Sequence, residues 1–94
     1  MNRQQAYQSF VYHGERIYGP LGTKDTYHEE MRRRWAFIID HKLYKYLPSG
    51  SVEADAILES IPSNYFERGD IEGVKTLLKT SRLASLIDKI IGGK

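Results

Sequence analysis

Asp25-Thr-Tyr-His-Glu-Glu-Met-Arg-Arg-Arg-Trp-Ala-Phe-Ile-Ile-Asp-His-Lys-Leu-Tyr-Lys-Tyr-Leu47 contains neither Gly nor Pro, carries the only Trp of the chain, and is closed by Pro48. The spacing predicts one central helix over about 25–47, roughly 35 Å long at 1.5 Å per residue. Asp25 or Thr26 is the expected N-cap, and Glu29 and Glu30 suit the positive end of the helix dipole. At 100° per residue, Tyr27, Met31, Trp35, Ile38, Ile39, Leu43 and Tyr46 share one broad apolar face, the expected core face.

The flanking segments are shorter. Residues 1–8 are polar and expected to be flexible. Ser9 to Tyr18 is rich in aromatic and β-branched residues around His13-Gly14, which predicts an N-terminal β-hairpin over about 9–18 with Phe10 opposite Ile17. A helical or extended arm over Gln4–His13 is the alternative. Gly19-Pro20-Leu21-Gly22 interrupts regular structure. Beyond Pro48-Ser49-Gly50, Ser51 is expected to cap a helix through Ser60, with Ala54, Ile57, Leu58 and Ile61 apolar. Pro62 stops it, residues 63–68 allow a short turn of helix, and Asp70 caps the next helix with Ile71, Val74, Leu77 and Leu78 on one side. A break at Thr80-Ser81 separates it from a last helix over 82–91. The fold class is therefore mainly α: a long central helix packed by three or four short ones, in a single small domain of 94 residues.

Composition excludes several chemistries. No cysteine is present, so disulfides, thiolate catalysis and sulfur-ligated metals are absent. The opening residues lack the apolar run of a signal peptide and no segment is long and apolar enough to span a bilayer. The expectation is a cytoplasmic protein without membrane association. The net charge of +2 divides into +3 for residues 1–48 and −1 for residues 49–94, too small a bias to specify nucleic acid on its own.

The three histidines do not read as a metal site: His28 and His41 stand roughly 20 Å apart on one helix and His13 lies in a turn. Asp55 and Glu59 share a helix face at i and i+4, where a solvated face outweighs acid–base chemistry in the absence of a partnering residue. No phosphate loop, nucleophile motif or cofactor motif occurs, and the reading is of a protein that is not an enzyme and takes no cofactor or metal.

Two features bear on partners. Arg33, Phe37 and Tyr44, with His41 beside them, lie on the face opposite the core, and aromatics with arginine are typical of interface hot spots. The leading expectation is a small protein-binding protein — regulatory, adaptor or inhibitor — that occupies a partner's surface, with self-association as a variant of the same stripe. The alternative is nucleic-acid binding through Arg32, Arg33, Arg34, Lys42 and Lys45, with Tyr12 or Tyr18 as stacking platforms. A helix-turn-helix over Asp70–Ile91 is a weaker form of it, because only Arg82, Ser85, Asp88 and Lys89 would face bases. A structural subunit of a larger assembly is the third reading.

Overall fold

A computed structural model describes residues 1–17 and 25–92, with side chains described through Ser81. The described chain is mainly helical, without strands: α1 (Arg3–Glu15), α2 (Thr26–Asp40), a 3₁₀ turn (Leu43–Tyr46), α3 (Ser51–Ser60), α4 (Ser63–Glu67) and α5 (Ile71–Gly92). The Tyr18 end of the expected hairpin and the Gly19–Gly22 interruption fall outside the described residues, as do the side chains of the apolar face expected over 82–91.

The expected hairpin is a helix instead, and it includes most of the N-terminal arm expected to be flexible. Asn2 accepts a hydrogen bond from the Gln5 N–H at 2.9 Å, and the Gln5 side chain accepts one from the Asn2 N–H at 2.9 Å. This reciprocal pair satisfies two helix-end donors and starts α1. The face turned inward reads Ala6, Ser9 and His13, all buried, with Phe10 half-buried beside them. Two small residues let α1 lie close on α2, which hydrophobic periodicity does not register because Ser9 and His13 are polar.

Nor does one long helix run over 25–47. Asp25 caps α2, accepting from the Tyr27 and His28 N–H groups at 3.0 and 3.3 Å. The helix stops at Asp40, and Lys42 takes a left-handed conformation (φ 55°, ψ 37°). The reason lies in the register: Lys42 is seven residues from Trp35 and four from Ile38, both 0 % exposed. A continuous helix would therefore turn the ammonium into the centre of the core, where an unpaired charge is costly. Breaking at Lys42 keeps that side chain exposed and turns Leu43 and Leu47 inward, at 3 % and 2 % exposure. The Met1 amino group donates to the Leu47 carbonyl at 2.7 Å, fixing the start of the chain beside the turn.

The rest follows the apolar pattern. Gly50, rather than Ser51, occupies the cap position of α3. Ala54, Leu58 and Ile61 close over α2, and Val74 and Leu78 bring α5 to the same core. Thr80-Ser81 does not break α5. The Thr76 and Thr80 hydroxyls donate to the carbonyls four residues earlier, both at 2.9 Å, which accommodates them inside a helix. The two-helix unit expected over 70–91 is thus one continuous helix of 22 residues.

Replacing Lys42 with Gly is expected to stabilise the fold by about 1 kcal/mol, because glycine adopts positive φ without the penalty other residues meet there. A Lys42→Val variant is expected to lose at least as much. Urea unfolding of the three proteins checks both, and equal midpoints would refute the account of the break.

Candidate functional site

Three helices contribute to one polar cluster built around the Asp55 carboxylate. Asp55 comes from the middle of α3, and its Oδ1 accepts from the Trp35 indole N–H of α2 at 2.9 Å. The same oxygen lies 3.1 Å from Nε2 of His13, which is 1 % exposed on the inner face of α1. The other ring nitrogen of His13, Nδ1, sits 2.8 Å from Nδ1 of His28 in the first turn of α2. His28 Nε2 in turn lies 3.6 Å from Oδ2 of Asp25, whose other oxygen caps the helix. The result is a continuous line, Asp25–His28–His13–Asp55–Trp35, through the contacts of α1, α2 and α3.

Aromatic rings wall the line. Tyr12 stands edge-on to both histidines, with ring centroids at 5.2 and 6.0 Å, and the Arg16 guanidinium covers the Tyr12 ring at 4.1 Å. Tyr27 packs at 5.0 Å from His28 and 6.1 Å from His13. Burial of its phenol end, a hydrogen bond to the Glu59 carboxylate and the negative charges of Glu59 and Asp55 push the Tyr27 hydroxyl up to about 12, although 44 % of the residue is exposed. An open cleft of about 520 Å³, lined in part by Ser9, Tyr12, Ser51, His13 and Asp55, reaches the α3 side of the cluster.

Chemically, the line can hold and pass a proton. Among the described residues no group of three or more His, Asp or Glu side chains is placed to hold a metal.

The residues singled out from the sequence are distributed differently. The arginine triple does not form a basic face. Arg34 is 7 % exposed and turned into the protein: Nη1 donates to the Leu58 and Ile61 carbonyls, the latter at 2.6 Å, and Nη2 to Glu30 at 2.8 Å. It caps the C-terminal end of α3, where orphan carbonyls favour a cation, and its guanidinium stacks 4.9 Å from the Phe66 ring centroid. Arg33 is exposed and pairs with Glu29 at 3.0 Å. Arg32 lies over the Phe10 ring at 5.1 Å. Lys42 sits in the helix break, and Lys45 stands 5.4 Å from the Tyr46 ring.

The stripe of Arg33, Phe37, His41 and Tyr44 is also dispersed. Phe37 is half-buried, edge-on to Phe66 at 5.3 Å and to His41 at 4.5 Å. Tyr44 lies beyond the break and packs against the core cluster, so the i, i+7 relation with Phe37 does not hold. The sequence did point to Asp55 and Glu59, but as a solvated face; their roles come from Trp35, His13 and Tyr27. It missed the meeting of His13 and His28. The signal was present in the spacing Ala6, Ser9, Phe10, His13, which only a helical reading of the N-terminus reveals.

No protein-family model, curated protein or solved structure matches the chain.

Two outcomes check this site. Asp55→Ala strands the Trp35 and His13 donors and is expected to cost about 2–4 kcal/mol in urea unfolding, while Asp55→Asn, whose Oδ1 can still accept from both, costs less. In a tyrosinate absorbance titration, one of the seven tyrosines is expected to ionise near pH 12 and to ionise at lower pH in Glu59→Gln, which removes the hydrogen bond and the charge of the Glu59 carboxylate but leaves the larger effect of burial. Because the folded state retains that proton beyond the unfolded value, the associated stability is complete below about pH 10 and is lost as pH rises through about 12.

Proposed function

We propose that this chain is a non-enzymatic protein-binding module that acts by occupying an acidic partner's surface with the outer face of α1. The observation that carries the reading is Tyr7, 53 % exposed and stacked on Phe10 with centroids 6.2 Å apart. A large aromatic held this far into solvent by a second ring presents a rigid apolar area at little entropic cost, the property that enriches tyrosine at hot spots. Val11 and Gly14 continue the same strip of the helix, both half-buried.

Charge supplies the partner's chemistry. Arg3 and Arg16 are exposed at the two ends of α1, and Arg32 borders the strip from α2, whereas Glu15 is the only acid in the helix. An acidic rim around an apolar anchor complements this arrangement. The surface differs from the one expected at Arg33, Phe37, His41 and Tyr44. Nucleic-acid binding through the arginine triple is the less supported reading, since Arg34 is engaged inside the protein.

Selection of displayed peptides against the purified protein, counter-selected on a Tyr7→Ala/Arg32→Glu variant, tests the proposal. Acidic peptides with an apolar anchor are expected, with affinity falling at least about tenfold (about 1.4 kcal/mol) in Tyr7→Ala. Peptides that bind both proteins equally would refute it. Salt-sensitive retention of the wild type on single-stranded DNA or RNA, lost in the variant, would reassign the face to nucleic acid. A dimer in light scattering that dissociates on Tyr7→Ala would assign it to a second copy of the chain.

A further inference from the structure

The protein uses only half of the Asp55 carboxylate. Both of its internal donors, the Trp35 indole and the His13 imidazole, meet Oδ1, at 2.9 and 3.1 Å. Neither contact needs a cation: neutral His13 donates from Nε2 to Asp55, and neutral His28 donates from Nδ1 to the bare Nδ1 of His13. No lysine or arginine of the described residues pairs with Asp55, whose side chain is 20 % exposed. Among the described residues, then, Oδ2 has neither a hydrogen-bond donor nor a counter-charge, and Asp55 lines the cleft beside α1.

The cleft holds a second unused group. Ser9 is 7 % exposed, yet its hydroxyl bonds to no described residue. No side-chain polar atom of the described residues is sealed in without a partner, so this Oγ opens on the cleft that Ser9 lines. Ser9 stands one turn before His13 on α1, and Ser51 one turn before Asp55 on α3. The His13–Asp55 contact ties the two helices together one turn further on, so both serines and Asp55 border a single space. Two apolar side chains flank it, Val52 at 78 % exposure and Tyr12 at 46 %. Its volume of about 520 Å³ suits a small molecule.

These groups define a ligand chemistry. Oδ2 only accepts, and the Ser9 and Ser51 hydroxyls accept as well, so a head group with several N–H donors and no acceptor satisfies all three. The uncompensated carboxylate selects a positive charge. The exposed valine and tyrosine suit a carbon chain. An anion is disfavoured by Asp55 itself and by the Glu53 carboxylate, which lies against Gly50 at the start of α3, where the helix dipole would otherwise attract one. The Met1 ammonium, also on the lining, donates to the Leu47 carbonyl at 2.7 Å and makes no ion pair with Asp55. Its charge favours a ligand with one cationic group over a diamine.

We propose that this cleft binds a small primary alkylamine, whose ammonium donates to Asp55 Oδ2 and to the Ser9 and Ser51 hydroxyls while its chain lies against Val52 and Tyr12. The site is on a different side of α1 from Tyr7, Val11 and Gly14 and is independent of the partner surface. Because the cleft exists only when α1 is docked beside α3, bound amine also stabilises the fold in step with its occupancy.

The test is a titration with n-butylamine hydrochloride at neutral pH and constant ionic strength, followed by NMR of the backbone amides. Saturable shifts centred on Ser9, Tyr12, Ser51, Val52 and Asp55 are expected. Asp55→Asn keeps an acceptor for Trp35 and His13 but sets an NH₂ group where Oδ2 stood, and is expected to weaken binding at least about tenfold. Ser9→Ala removes only a hydroxyl and is expected to weaken binding about fivefold; it carries the test alone if Asp55→Asn does not fold. No saturation at tens of millimolar amine, or unchanged affinity in every variant that folds, would leave the cleft to water and overturn the proposal. Equal binding of 1-butanol would show that the chain alone is recognised, and equal binding of tetramethylammonium that charge alone is. Either result overturns it.

Discussion

A single carboxylate, that of Asp55, accepts from a tryptophan on α2 and a histidine on α1 while it belongs to α3, and the rest of the assembly is arranged around keeping that carboxylate occupied. Trp35 is 0 % exposed and His13 1 %, so neither donor could turn to water if Asp55 were missing. The ladder of apolar contacts on either side, Ala6 and Phe10 against α2 and Ala54 and Leu58 beneath it, sets the helices close. The hydrogen bonds fix their register. Apolar packing tolerates small slides between helices, whereas a bond of 2.9 Å to a buried indole does not.

A second buried charge does similar work at the far end of the same helix. Arg34 closes the carbonyl end of α3, so that α2 grips α3 through Trp35 near the helix middle and through Arg34 near its end. Both contacts use polar groups inside a core that is otherwise apolar. A fully apolar interface could be equally stable. The polar groups add a definite angle and offset between two helices, and that offset is what places Asp55 under His13.

These demands explain where the protein keeps its available chemistry. Arg34 is committed inward to the carbonyls of α3 and Arg32 is laid along Phe10 of α1, while Arg33 pairs with Glu29 within α2, so the arginine triple is spent on contacts inside the protein. Among the described residues, Tyr7 on the outer face of α1 is the most exposed aromatic side chain. Its position depends on α1 being docked, and α1 is docked through His13.

What the sequence by itself determined was set by local physics. Asp25 as N-cap, the apolar run Met31, Trp35, Ile38, and the spacing Ile71, Val74, Leu78 are readable because caps and the 3.6-residue period act within a turn or two. The break at Lys42 was also readable, as a lysine at i+4 and i+7 to core residues, but competed with an uninterrupted run that favours helix. Tertiary structure decided the rest. α1 is helical because its inner face of Ala6, Ser9 and His13 finds partners on α2 and α3, a choice that its aromatic and β-branched composition alone argues against. The cluster of Asp55, His13, His28 and Trp35 draws on three helices separated by up to 42 residues. No spacing rule reaches that far, because the meeting is set by how the helices pack, and only the folded chain brings those four side chains within a hydrogen bond of one another.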